Sequence, residues 1–202
     1  MKYTDLSVSV NPMQKTPDTN DSSPARRRLL DTASRLFYAE GIHAVGIDRI
    51  IAEAGVAKAT FYKHFPSKDD LVVAHIEEQD RLGRAYVAAL PARPPREMIA
   101  AILGRIGNAA TDADYRGCVF LNAAAEYPDP ASPARRAIDA RRMWYRDSLQ
   151  KLCAASGDPS SAMTAGLLVA LSDGLLEGAY LDDPARIPSL IEEALAKLLP
   201  KA

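Results

Sequence analysis

Cysteine is nearly absent from this chain: Cys118 and Cys153 form no C-x-x-C and have no histidine at ligand spacing. That excludes a disulfide scaffold and a structural zinc site. Histidine is as scarce, with three in 202 residues, and no Ser/His/Asp set stands in a motif context. There is also no glycine-rich phosphate loop, so no enzyme activity, metal or cofactor is expected. No window approaches the roughly 20 consecutive apolar residues of a membrane helix. The N-terminus lacks the charged start and apolar run of a secretory signal. A soluble, cytoplasmic protein without membrane contact is the expectation. Finally, no sustained apolar/polar alternation with hairpin turn signals occurs, which leaves an all-α chain.

What is present is 48% hydrophobic residues, enough for a sizeable core in one domain or in a small domain joined to a larger one. Residues 1–23, "MKYTDLSVSVNPMQKTPDTNDSS", are rich in Ser, Thr, Asn, Asp and Pro and read as a disordered tail. The net charge of −1 hides an asymmetry. Residues 24–68 hold eight Lys/Arg against four Asp/Glu, and residues 69–202 hold fifteen against nineteen. A basic end on an acidic body points to contact with a polyanion through that end.

Helix-start punctuation recurs at Ser23-Pro24, Ser132-Pro133, Asp158-Pro159 and Asp183-Pro184, where a capping residue precedes a proline suited to the first helical position. With the apolar spacing between these marks, the pattern predicts about nine helices: 24–40, 47–54, 58–65, 67–90, 95–110, 116–127, 132–155, 159–181 and 187–199. The eighth carries Leu167, Leu171, Gly174 and Gly178, and the ninth Ile191, Leu195 and Leu198. Two such helices can pair with those of a second copy as a four-helix bundle, so these residues are expected at a homodimer interface, in preference to packing within one chain.

"VGIDRIIAEAGVAKATFYKHF", Val45 to Phe65, reads as helix, glycine turn, helix. The turn has the length of a helix-turn-helix connection, with glycine supplying the left-handed conformation. On a helical wheel Phe61 and Phe65 fall together on the core side. Ala59, Thr60 and Lys63 face away, with Tyr62 and His64 on the flanks. A helix entering the major groove needs small residues for close approach, a donor or methyl for base edges, and polar flanks for phosphates. Arg28 in the Arg26–Arg28 cluster, Lys58 and Lys68 add positive charge beside it.

The stretch "RRLLDTASRLFYAEGIHAVGIDRIIAEAGVAKATFYKHFPSKDDL" resembles the N-terminal domain of TetR/AcrR-type transcriptional regulators, through an L-F-x-x-x-G first-helix ending and I-x-x-x-A-G-V-x-x-x-T-x-Y-x-x-F-x-S-K. "GCVFLNAAAE", Gly117 to Glu126, resembles the start of the central helix in many of them. The resemblance implies a homodimeric regulator, a repressor released from a palindromic double-stranded operator by a small-molecule effector. A helix-turn-helix domain would span 24–66, with the motif at 46–65, and a ligand-binding and dimerisation domain 67–202. By motif position Thr60, Tyr62, Lys63, His64 and Lys68 contact DNA, and Val45 and Gly46 open the supporting helix. The chain departs from the family where Val45, Gly46 and Ala57 replace usual hydroxyl residues. The rival reading is a helical ligand carrier or enzyme whose basic helices bind protein, and a third is an activator that shares the same fold.

In the larger domain Leu103, Cys118, Asn122, Tyr127, Trp144 and Tyr180 combine bulk with polar handles and are expected to line a ligand site, while Phe120 and Tyr145 read as core. Cys118 beside Arg116 could be an oxidisable thiol of lowered pKa; an inert buried cysteine is preferred. Arg135, Arg136, Arg141, Arg142 and Arg146 lie roughly along one face of the seventh helix, read as a solvated ion-pair face that could also attract an anionic effector.

Overall fold

A computed structural model describes residues 23–199. The disordered tail expected for 1–23 lies outside the described residues except for Ser23. Among the described residues there are nine α-helices and no strand: α1 Pro24–Glu40, α2 Ile47–Ala54, α3 Lys58–His64, α4 Lys68–Ala89, α5 Pro95–Ala109, α6 Val119–Glu126, α7 Pro133–Ala155, α8 Ser161–Leu181 and α9 Ile187–Leu198. A 3₁₀ turn, Pro184–Arg186, leads into α9.

Serine caps form at three helix starts, two of them where the punctuation places them. Ser23, Ser67 and Ser132 each accept a hydrogen bond from the backbone N–H three residues on, at 3.3, 3.1 and 3.1 Å, which satisfies one orphan donor of α1, α4 and α7. Asp69 and Asp70 occupy the first turn of α4, where the helix dipole favours anions. Two starts differ from expectation. Asp158 takes the Ser160 N–H at 2.8 Å in a local turn, so α8 begins at Ser161 and not at the proline. The sixth helix begins at Val119 because Gly117, at φ +75°, breaks the chain just before it. A Cβ there would sit 3.0 Å from both Glu177 carboxylate oxygens.

Two hydrophobic clusters organise the molecule. The first joins Leu29, Ala33, Leu36 and Phe37 of α1 with Ile50, Phe61 and Phe65, and continues into Leu71, Val72 and Ile76 of α4, Ala123 of α6 and Ile138 of α7. The second gathers Ile99, Leu103 and Ile106 of α5 with Leu149, Leu168, Ile191 and Leu195 from α7, α8 and α9. The basic end therefore shares a continuous core with the first half of α4, across the expected boundary at 66/67.

By length and composition α8 could cross a membrane, a helix that the search for unbroken apolar runs passed over. It packs against α7, however, and buries Thr164, Ala165, Leu168, Val169, Ser172, Leu175 and Ala179. Its Asp173 is paired with Arg142 at 2.6 Å.

Candidate nucleic-acid interface and effector region

Gly55 ends α2 in the left-handed region, φ 63° and ψ 44°, and its N–H returns to Ala52 O at 3.3 Å. Any side chain would be strained there, and glycine is not. Three residues later α3 starts. Phe61 and Phe65 are both buried and anchor it, with their ring centroids 6.1 Å apart. Truncating such a buried phenylalanine costs about 3–5 kcal/mol, so the anchor fixes which face of α3 is free.

The free face is the one the wheel predicts. Lys58, Ala59, Tyr62 and Lys63 are exposed, and Thr60 is half-buried at the edge. Lys58 pairs with Asp48 on α2 at 2.9 Å, a solvent-exposed bond that a phosphate can replace. Lys63 and Arg28 are exposed and meet no carboxylate among the described residues. Gly46 is exposed at the start of α2, where its extended backbone caps the helix without a side chain.

Three expected contacts stand differently. Val45 is fully buried in the first cluster, so its side chain cannot reach DNA; the motif position marks a core residue in this chain. His64 is half-buried and its Nε2 lies 2.9 Å from Ser23 Oγ, tying α3 to the α1 cap. Lys68 is half-buried at the start of α4, with its ammonium 6.0 Å from the Phe37 ring centroid, and burial lowers its pKa.

The basic end is bonded to the body through α6 and the loop before it. Glu126 accepts from the backbone N–H groups of Ile42 and His43 at 2.7 and 2.5 Å, in the loop between α1 and α2. Tyr38 of α1 donates to Gly117 O at 3.0 Å and accepts from Arg116 N at 2.8 Å. Tyr127 donates to Asp69 Oδ1 at 3.1 Å and stacks on His43 at 5.3 Å. Between these ties lies a cavity of about 10 Å³, water-sized, lined by Phe37, Ile42, His75, Asn122 and Glu126 among others. His75 is buried there, with Nδ1 2.8 Å from Ser34 Oγ, and burial pushes its pKa down to about 4.

The six residues expected to line a ligand site do not converge. Leu103 is wholly buried in the second cluster as core packing. Asn122 and Tyr127 belong to the seam just described, with Asn122 exposed and donating to Arg116 O at 2.8 Å. Tyr180 is exposed on α8, 3.5 Å from Arg116. Cys118 is half-buried, and burial, with Asp173 and Glu177 nearby, raises its pKa. A raised thiol near carboxylates is the opposite of an oxidation-prone cysteine, because Arg116 does not set its surroundings. Trp144 is the one of the six that lies under two guanidinium groups: Arg84 and Arg141 both approach its ring at 4.6 Å. Arg105, Tyr86 and Asp80 near it were not singled out by sequence. The available signal was Arg141 itself, three residues after Ile138 and four before Tyr145, at the edge of the apolar stripe of α7.

Of the residues expected at the dimer interface, Leu167 and Gly174 are exposed on α8, with Leu171 and Gly178 half-buried beside them. Ile191 and Leu195 are buried within the chain against α5, so they are core and unavailable to a second copy; Leu198 is half-buried on the same cluster. Met163, Leu181 and Leu190 are exposed on α8 and α9 and were not named by the pattern.

Residues 29–75 match the family model described as bacterial regulatory proteins, tetR family. The TetR-family regulator SCO4454 of Streptomyces coelicolor is 44% identical and superposes with a TM-score of 0.80, over 87% of this chain and 94% of that one. The HTH-type transcriptional regulator LmrA of Bacillus subtilis is 28% identical over 162 residues, 78% of this chain and 85% of its own length. A regulator from Saccharomonospora viridis, solved in complex with choline, shares the fold at 22% identity and a TM-score of 0.75, over 86% and 96% of the two chains. The free face of α3, its glycine turn and the likeness to SCO4454 along nearly its whole length lead to one conclusion: this chain is a DNA-binding transcriptional regulator of the TetR family, and not an enzyme.

Proposed function

We propose that the chain is a homodimeric repressor that reads a palindromic operator with α3 and leaves it when a small molecule binds the larger domain. The observation that carries the reading is the sorting of α3, with Phe61 and Phe65 buried and Ala59, Tyr62 and Lys63 exposed. Small Ala59 permits close approach to base edges, Thr60 and Lys63 supply donors, and Arg28, Lys58, Tyr62, His64 and Lys68 surround them for phosphates, with the Gly46 backbone N–H at the start of α2. Two copies must hold their reading helices ~34–36 Å apart to occupy successive major grooves. A ligand that favours another separation lowers affinity by population shift, and repression ends. A protein that works on the chromosome of a bacterial cell works in the cytoplasm.

The signal has two candidate routes. α4, capped by Ser67, starts at Lys68 shortly after α3 and runs into the body, while Glu126 of α6 holds the loop that feeds α2. Movement of either repositions α3, because all three elements share the first hydrophobic cluster.

A mobility-shift assay with the DNA upstream of the protein's own gene tests the reading. Lys63→Ala should weaken binding and relax base preference. Lys68→Ala should weaken specific and random DNA alike and reduce the salt slope by about one unit. Equal loss on both kinds of DNA in Lys63→Ala would move Lys63 from the bases to the backbone, and no shifted band would mean that the chain does not repress its own gene.

A further inference from the structure

The five arginines of α7 part ways. Arg135 pairs with Asp139 at 3.0 Å and Arg142 with Asp173 at 2.6 Å, whereas Arg141 turns into the bundle. Its side chain is 16% exposed, and its Nη1 is buried with no hydrogen-bond partner among the described residues. The guanidinium lies 4.6, 5.3 and 5.4 Å from the ring centroids of Trp144, Tyr145 and Phe120. The carboxylate it meets is Asp80 of α4, at 3.5 Å, too long for a good hydrogen bond. Asp80 takes Arg84 at 2.8 Å through Oδ2, and the Oδ1 that faces Arg141 is buried without a hydrogen-bond partner among the described residues.

A third guanidinium joins them. Arg105 of α5 is half-buried over Tyr86, 4.8 Å from its ring, and makes no ion pair among the described residues. Arg141 Nη2 and Arg105 Nη1 lie 3.2 and 3.9 Å from the point where a Cβ on Gly83 would sit, so glycine leaves the space in which the two cations meet. Arg84 and Arg141 thus share one carboxylate, and Arg105 has none among the described residues. Arginine does not shed its proton, and a buried cation lacking a counter-charge is costly. Burial lowers the pKa of both Arg105 and Arg141, and Arg105 works against Arg141 directly. The aromatic faces exclude a cationic ligand, since the chain's own arginines already occupy them.

We propose that Arg105 and Arg141, set among Tyr86, Phe120, Trp144 and Tyr145, clamp the effector, and that the effector is an organic carboxylate with an apolar body. The proposal rests on the reading of the larger domain as an effector domain and names the ligand class. Two convergent guanidiniums suit a carboxylate because each can offer paired N–H donors, and the surrounding rings suit an apolar body. A bound carboxylate takes Arg141 from Asp80, which loosens α7 from α4, the helix that starts beside α3.

Trp144 is the single tryptophan of the chain and reports the site directly. With the full-length protein, biphenylacetate should quench its fluorescence and bind about tenfold or more tightly than the neutral biphenylacetamide, as expected for charge-assisted hydrogen bonds. Arg141→Met and Arg105→Met should each remove that preference. Arg105→Met should also raise Tm, because it deletes a cation that the unliganded chain leaves uncompensated. Equal affinity for acid and amide, binding of neither, or a preference that survives Arg105→Met with a lowered Tm overturns the clamp. Operator binding measured on the same samples separates the two claims. A shifted band without acid preference overturns the clamp and leaves the regulator intact, and acid preference without any shifted band supports the clamp while removing the repressor.

Discussion

Ala57 opens the reading helix with extended backbone and no side-chain cap, and Gly46 opens α2 in the same way. The hydroxyls absent from these positions would have accepted an orphan N–H of the first turn. Ala57→Ser should therefore stabilise the protein by about 1 kcal/mol, read from the midpoint of denaturant unfolding; an unchanged midpoint would mean that α3 owes its start to Phe61 packing alone. His75 makes the second residue-level case. Its pKa is about 4 in the folded chain against about 6.5 unfolded, so the unfolded state binds the extra proton. Stability is full above pH 6.5 and falls by about 1.4 kcal/mol per unit as pH drops toward 4. In thermal melts across that range His75→Leu should flatten the slope, even if its melting point at neutral pH is lower. Single residues were the least legible part of the sequence. The 100° rotation per residue sorted α3 correctly, because a helix fixes where each side chain points. Val45 lies in the loop before α2, where no such period applies, and its burial was invisible.

At the scale of elements the sequence was more informative where a cap or a glycine punctuates the chain, and less so where tertiary contacts decide. Ser23 and Ser132 cap helices as read, whereas the start of α6 follows Gly117, at φ +75° and placed where a side chain would meet Glu177 of α8, 60 residues away in the chain. The arginines of α7 show the same limit. Their spacing placed them near one face, but only the packing of α4 and α5 against α7 turns Arg141 inward while Arg135 and Arg142 keep surface partners. Glu126 is the element-scale counterpart of a cap, an α6 side chain holding two N–H groups of another segment. Removing it by Glu126→Ala should speed hydrogen exchange at the Ile42 and His43 amides about tenfold or more, for charge-assisted bonds worth 1.5–3 kcal/mol. Amides in the middle of α1 should be unaffected. Unchanged exchange at both positions would mean that the loop is held by Ile42 burial, and α4 would remain as the route for the effector signal.

For the whole molecule the decisive question is which apolar surface a second copy covers. α8 and α9 present Met163, Leu167, Leu181 and Leu190 to solvent, at 68%, 48%, 76% and 42% exposure, while small Gly174 between them allows another helix to approach closely. Exposed apolar side chains gathered on two adjacent helices are a surface that association buries, and a two-fold pairing would bring the same helices from both copies together. Leu167 and Leu195 then separate two effects that the sequence pattern merged. Leu167 points outward, so Leu167→Glu should leave helicity and the melting of the monomer intact and shift the sedimentation coefficient from dimer to monomer. Leu195 is 3% exposed, and Leu195→Glu would bury a charge without a partner and unfold the larger domain. Loss of the dimer should also reach the DNA. A palindromic operator is bound by two reading helices held at a fixed separation, so the Leu167→Glu monomer keeps α3 yet loses the coupling of two half-sites. Its operator affinity should drop by about 10² or more, while its affinity for a single half-site changes little. If the variant sediments as a dimer, the covered face lies elsewhere; if it is monomeric and still binds the full operator tightly, the chain reads DNA without pairing.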